Sequence, residues 1–428
     1  MSDLTSEKSE FSKGWKILIA AVVGVACGAS PIPFNMIGFT IEPLLAESDW
    51  TRTQILLPIT IFGVVASLLS PFFGSLADKY GVRKVALLSL IGFGLSFAAI
   101  ALTPSTQGAS SLYIYYALWM FVGFVSIGST PITWSRAVNL WFFKQRGLAL
   151  GVMLLGTSAA AFFVPQIAVF AIENYGWRSM FVLLGMLPLL IALPLGYLLF
   201  REPRPDERPP ELATVDGELT GMTLGQAFHD YRFWLLFASI AIIAAFFGGA
   251  YINLPAILSD RGLTAQNSAS VFGVLGLGII IGQLATGALL DRFWQGFVAF
   301  PLLCLPALSC YVLLGDTITF TLATFAGFCL GFAAGAEGGI IAYLAGRYFG
   351  MAHYSKIYGF LYVPFGLFSA GSPLIYAYVR DTAGSYDPML SVGIAAFILG
   401  GGVLVLMGKY PVSFPKQDTP PQHVVVTA

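Results

Sequence analysis

The sequence predicts an all-α integral membrane protein with twelve transmembrane helices in two pseudo-symmetric six-helix bundles, and three observations predict it. Of 428 residues, 57% are hydrophobic and only 10% charged, against about 25% charged in an average soluble chain. There is too little polar surface to cover a body in water. Apolar stretches long enough to cross a bilayer, about 20 residues each, recur twelve times along the chain. The two halves of the chain also repeat each other.

The apolar stretches lie at about 15–46, 53–77, 85–103, 111–142, 147–172, 178–200, 231–258, 268–290, 294–314, 317–345, 356–379 and 388–408, and are numbered spans 1 to 12. Lipid offers no partner for backbone N–H and C=O groups, so such stretches read as helices. Basic residues orient them, because cytoplasmic loops carry the Lys and Arg excess. With the N-terminus inside, the inner segments hold Lys8, Lys13, Lys16, Lys79, Arg83, Lys84, Lys144, Arg146, Arg201, Arg204, Arg208, Arg232, Arg292, Arg347, Lys356, Lys409 and Lys416. The outer loops hold Arg52, Arg178, Arg261 and Arg380. Both termini are therefore expected in the cytoplasm, and the chain in a plasma membrane, the bacterial inner membrane.

The N-terminal MSDLTSEKSEFSKGWK does not read as a signal peptide, so the first helix is expected to be retained. Lys plus Arg equals Asp plus Glu, 22 each, and this balance gives no support to a nucleic-acid partner. Cys27, Cys304, Cys310 and Cys329 all fall within spans. Neither a disulfide framework nor a metal site is expected, and no cofactor.

The organisation expected is a tail at 1–14, a first bundle at 15–200, a linker at 201–230, a second bundle at 231–408 and a tail at 409–428. The linker carries Pro203, Pro205, Pro209 and Pro210 with Glu202, Asp206, Glu207, Glu211, Asp216, Glu218 and Asp230, a composition that stays extended. An amphipathic helix is expected near 223–232. The halves match at nearly constant offsets: GSLADK at 74–79 with GALLDR at 287–292, Pro43 and Gln54 with Pro255 and Gln266, and Gly151, Pro165 and Gly176 with Gly359, Pro373 and Gly384. Such a parallel repeat is the plan of one large transporter class, with substrate held between the halves near the midplane. Gly327, Gly331 and Gly335 share one helix face, as do Gly24 with Gly28 and Gly278 with Gly282, which suits close helix packing.

The segment Gly74-Ser-Leu-Ala-Asp78-Lys-Tyr-Gly81-Val-Arg83-Lys84 resembles the signature between the second and third helices of the major facilitator superfamily. Gly81 permits a tight turn, and Asp78 can face a helix N-terminus or a cation. In that family the arrangement latches the two halves on the cytoplasmic side, which implies gating roles for Gly74, Asp78, Gly81, Arg83 and Lys84. The second copy keeps Asp291 and Arg292. The run Trp141-Phe142-Phe-Lys144-Gln-Arg146-Gly147-Leu-Ala-Leu-Gly151 with Tyr175-Gly-Trp-Arg178 resembles the monocarboxylate-transporter and oxalate/formate-antiporter-like branch, whose members move organic anions, many with protons. Span 8 departs from that branch: where carriers of simple monocarboxylates have an Arg, Gln283 stands, and the lysine of oxalate carriers is missing from the stretch at Leu361–Phe365. A lactate- or oxalate-type substrate is disfavoured.

Ionisable side chains in hydrocarbon are costly and by default functional candidates. Glu42 lies 27 residues after Trp15, about 40 Å along a helix, and belongs to the outer rim. Glu337 lies 12 residues before the inner end of span 10, about 18 Å deep, and is the candidate proton carrier. Arg136, about 9 Å inside the inner end of span 4, is expected to attract an anionic substrate or ionised Glu337. At the 208 offset Arg136 corresponds to Leu344 and Glu337 to Ser129, or with a one-residue slip to Tyr343 and Thr130, so each charge is unique to its half. Asn35, Thr133, Tyr251, Asn253, Gln283, Tyr343 and Tyr362 are the further candidates for substrate binding. Pro31 and Pro33 are expected to break the first helix beside Asn35.

No phosphate-binding loop supports ATP-driven transport. His229, His353 and His423 all fall in inner segments, away from where an intramembrane enzyme would need them, so an enzyme is not expected. The expected activity is proton-coupled secondary transport of a small organic anion, larger and more aromatic than lactate, by a monomer. A proton-driven exporter of drugs or amphiphiles and a transporter-like membrane sensor are the alternatives.

Overall fold

A computed structural model describes residues 10–104, 109–204, 207–209 and 219–411. Lys8, Lys416, His423 and most of the proline-rich and acidic linker residues, Pro205, Asp206, Pro210, Glu211, Asp216 and Glu218, lie outside the described residues. Spans 2 and 3 are Arg52–Tyr80 and Val82–Ala99, spans 5 and 6 are Arg146–Tyr175 and Trp177–Leu187 running on to Leu199, and span 7 is Tyr231–Asp260. Spans 8 to 12 are Ala265–Arg292, Gln295–Leu313, Phe320–Tyr348, Tyr354–Ala383 and Asp387–Val405. The end of the bundle carrying the linker between spans 6 and 7 is termed the linker face.

Spans 1 and 4 are broken. Span 1 runs Glu10–Ala26 and then Pro31–Met36 and Ile41–Glu47, with a bend of 43°. Pro31 lacks the N–H that would continue the ladder. Span 4, expected as one helix, is Ala109–Val125 and Pro131–Trp141, interrupted where Pro131 again removes a donor. The two breaks meet: Ala29 N donates to Ser129 Oγ at 3.1 Å, and a Cβ on Gly28 would overlap the Ser129 carbonyl. Spans 7 and 10, their counterparts in the repeat, are continuous.

Glycine sets the close contacts. Cβ atoms on Gly331 and Gly335 would overlap the carbonyls of Leu275 and Ile279, and one on Gly282 that of Phe332. Spans 8 and 10 thus touch backbone to backbone along the predicted glycine face, a contact favoured in lipid by van der Waals packing. Thr51 and Thr264, 213 apart, each accept an amide of the first turn, from Gln54 and Asn267, and so start spans 2 and 8 in the same way. Within the linker, Thr223 caps the short helix Leu224–His229, which ends before the 232 expected of it because Tyr231 already opens span 7.

Candidate functional site: the seam between the bundles

Two crossed clamps join the bundles at the linker face. Asp78, at the end of span 2, accepts the amides of Ser355 and Lys356 at 3.1 and 2.9 Å, the first turn of span 11. Asp291, at the end of span 8, accepts those of Gly147 and Leu148 at 2.7 and 2.9 Å, the first turn of span 5. Both carboxylates sit where unsatisfied N–H groups and the helix dipole favour negative charge. Ser355 and Lys356 lie 208 residues beyond Gly147 and Leu148, so the repeat legible in the sequence recurs bond for bond. Glycine lets the backbones approach: a Cβ on Gly74 would overlap the Ser355 carbonyl, and one on Gly147 that of Gly287. Higher up, Gly359 abuts Ser70 and Gly151 abuts Gln283 in the same relation.

Gly81 turns the chain between spans 2 and 3 at φ 88°. Arg83 donates to the Tyr197 carbonyl and lies over the Tyr197 ring at 5.2 Å, while Lys84 and Arg292 are exposed. Two carboxylates that sequence reasoning missed work beside the clamps. Glu202 accepts Val82 N at 2.9 Å. Glu10 accepts the amides of Phe143, Lys144 and Gln145 at 3.0 to 3.2 Å. No local pattern marks either, because their partners lie 120 or more residues away. In the second half the corresponding loop is held by backbone instead, with Met222 N donating to Phe349 O and Met351 N to Thr220 O. His353 stands in this loop. Burial, then Lys356 and Arg136, push its pKa below the ordinary histidine value.

Arg136 pairs with Asp78, the side chains being 5% and 8% exposed. This corrects the expectation that Arg136 faces Glu337: its depth on span 4 is that of the latch, not of the midplane. Glu337 is buried in span 10, and among the described residues its Oε1 has no hydrogen-bond partner. Its neighbours Gly338 and Gly339 face Leu154 of span 5, so it lies on the seam. Tyr358 and Tyr362 of span 11 share its electrostatic neighbourhood. With Tyr354 they form a run of rings whose centroids are 5.6 and 6.4 Å apart.

The other predicted groups are divided between seam and packing. Gln283 donates to Thr157 Oγ1 at 3.0 Å and accepts from Ser158 Oγ at 3.2 Å, bridging spans 8 and 5. Asn253 donates to Gly249 O and, at 3.4 Å, to Pro373 O of span 11. Asn35 returns its amide to Pro31 O at 2.8 Å, and Thr133 donates to the carbonyls of Gly128 and Thr130 at the span 4 break. Tyr343 donates to Leu290 O at 2.9 Å and belongs to the latch region. Tyr251 stacks on Phe247 with centroids 5.9 Å apart. Glu42 is exposed near the end opposite the linker.

At that opposite end the ion pairs stay inside a bundle: Arg178 with Glu47, Arg261 with Asp387 and Arg380 with Asp260. Seam contacts extend at least to Ser67 against Gly366, 11 residues or about 16 Å from Ser355. The bundles are thus joined at the linker face.

Comparisons with known proteins agree with this geometry. Residues 23–371 match the Major Facilitator Superfamily pattern. Monocarboxylate transporter 11 of Mus musculus is 25% identical over 286 residues, 66% of this chain. The chain spans about 60% of that relative's length. Monocarboxylate transporter 13 of Rattus norvegicus is 24% identical over 97% of this chain and 94% of its own. The human organic anion transporter TETRAN superposes with a TM-score of 0.67 at 17% identity, covering 93% of this chain and 100% of that one. The transporter FucP in its outward conformation does so with a TM-score of 0.66 at 13% identity, over 94% and 100%. The duplicated clamp and the match over residues 23–371 place this chain, a multi-pass membrane protein, in the Major Facilitator Superfamily.

Proposed function

We propose that the chain is a monomeric secondary transporter that moves an organic anion across the plasma membrane by alternating access, coupled to protons, with the linker face in the cytoplasm. The crossed clamps of Asp78 and Asp291 carry the reading. Each is a set of amide hydrogen bonds from one bundle to a carboxylate of the other, so both break together when the bundles rock. On this reading the clamps close the linker face, and substrate enters from the opposite side.

The names of the monocarboxylate and organic anion transporters support the substrate class. The charge-free stretch 271–290 of span 8, where Gln283 binds Thr157 and Ser158, favours a carboxylate larger than lactate. The run of Tyr354, Tyr358 and Tyr362 favours an aromatic one. Glu337 carries the proton. Arg136 keeps Asp78 and offers its remaining donors, Nε among them, to the anion once Ser355 and Lys356 leave. Asn35, Thr133, Tyr251, Asn253, Gln283, Tyr343 and Tyr362 line or support the path. Uptake of aromatic and aliphatic monocarboxylates into proteoliposomes under an imposed proton gradient tests this. Saturable accumulation, abolished by a protonophore, is expected; gradient-independent or absent uptake of every carboxylate overturns it.

A further inference from the structure

The seam holds a second group of cations for which the clamp has no use. Arg146 is fully buried and donates only to backbone, to Phe142 O at 3.4 Å and Asn139 O at 3.3 Å. Arg347 of span 10 lies over the rings of Phe143, Tyr343 and Tyr410 at 5.2, 6.0 and 4.5 Å. Arg146 lies over the same Phe143 ring at 5.3 Å. Among the described residues neither guanidinium is in an ion pair. The nearby carboxylates, Glu10 and Asp291, turn their oxygens to the amides of residues 143–145 and 147–148. Among the described residues Asn139, with no solvent exposure, has Tyr354 beside it but makes no hydrogen bond of good geometry through Oδ1 or Nδ2, and Arg347 Nε also lacks one. Buried polar atoms are rarely left so.

These groups meet at one place. A Cβ on Gly346 would lie 3.1 Å from Arg146 Nη1 and 3.5 Å from Asn139 Nδ2, so the glycine leaves room beside both. Asn139 and Arg347 are 208 apart, as are Arg146 and Tyr354. Equivalent residues of the two halves therefore gather about the pseudo-two-fold axis, at the mouth of the path between the bundles. Arg347 is only partly buried, which opens the cluster to the linker face.

We propose that Arg146, Arg347 and Asn139 form an anion site at this mouth, which receives a carboxylate of the transported substrate. Two guanidiniums supply fork-shaped donors matched to a carboxylate, and the Asn amide adds another. The inference rests on the organic-anion reading and adds a second place where the anion is held.

Thermal unfolding of the whole chain in lipid nanodiscs tests it, with sodium benzoate or acetate compared with chloride and sulfate at matched ionic strength. Saturating benzoate is expected to raise the apparent midpoint by about 3 °C over chloride, and Arg347→Gln to abolish the rise. An equal rise in the variant, no rise with either carboxylate, or a rise with sulfate alone overturns the site. If Arg347→Gln does not fold, Arg347→Lys replaces it. Loss of the fork should then weaken the benzoate Kd about ten-fold, and an unchanged Kd overturns the proposal. A rise abolished in the variant, while the wild type accumulates no carboxylate, keeps the site and discards the transport reading. Carboxylate accumulation with a rise that the variant leaves untouched does the reverse.

Discussion

Asp78 binds Arg136 within its own bundle and, with the same carboxylate, the amides of Ser355 and Lys356 from the other. The ion pair stays with one bundle, so Asp78 keeps a counter-charge when the seam opens. Asp291 has the amides of Gly147 and Leu148 and, among the described residues, no ion pair. The two clamps are alike in hydrogen bonds and unlike in charge.

That difference predicts unequal losses. Asp78→Asn leaves Arg136 buried without its counter-charge, a defect of about 3–5 kcal/mol, while Asp291→Asn weakens charge-assisted hydrogen bonds, worth roughly 1.5–3 kcal/mol. Unfolding midpoints in nanodiscs should fall further for Asp78→Asn. Adding Arg136→Gln should recover part of its loss, and a strictly additive double mutant would remove the coupling.

The glycine contacts predict a change of state rather than of stability alone. Alanine at Gly74 or Gly147 puts a Cβ into a carbonyl of the opposite bundle, so the linker face cannot close fully. Spin labels on the linker-face ends of spans 2 and 11 should report a longer mean distance in Gly74→Ala, with transport reduced. Gly38→Ala, which meets nothing within 4 Å, should match the wild type in both measurements.

Much of this was legible in the sequence because it is local or periodic. Twelve apolar stretches, the glycine face of Gly327, Gly331 and Gly335, and the repeat of Asp78 in Asp291 all follow from spacing along one chain. The ion pair of Arg136 with Asp78 was not read from the sequence, which offered an anionic substrate or Glu337 instead, although a depth of about 9 Å against about 18 Å already set Arg136 nearer the latch than Glu337. The break in span 4 escaped because Ser126-Ile-Gly-Ser-Thr130 before Pro131 is short and uncharged, so the apolar stretch read as unbroken. Glu10, Glu202 and Asn139 acquire their roles only where distant segments meet.

His353 gives the seam a pH dependence whose sign is fixed. Its pKa in the folded chain lies below the ordinary 6.5, so the unfolded chain binds the proton more readily. The stability this group contributes is complete above about pH 6.5 and is lost as pH falls below it. Between pH 7.5 and 5.5 the unfolding midpoint should fall less steeply in His353→Gln than in the wild type. Parallel curves would show that another group sets the acid limit.

Glu337 makes the sharpest prediction about coupling. A carboxyl group deep in a membrane bundle is costly when charged, at least about 2.5 kcal/mol on insertion scales, and among the described residues its Oε1 has no hydrogen-bond partner to offset that cost. Glu337→Gln keeps the shape and the hydrogen-bonding capacity but cannot exchange a proton. Carboxylate-for-carboxylate exchange across proteoliposomes should therefore persist, while accumulation driven by a pH gradient falls at least about ten-fold. The two assays together separate coupling from folding, because a misfolded variant would lose both. Full gradient-driven accumulation in Glu337→Gln would move the proton to another residue, and Tyr358 and Tyr362, which share its surroundings, would be the next to change.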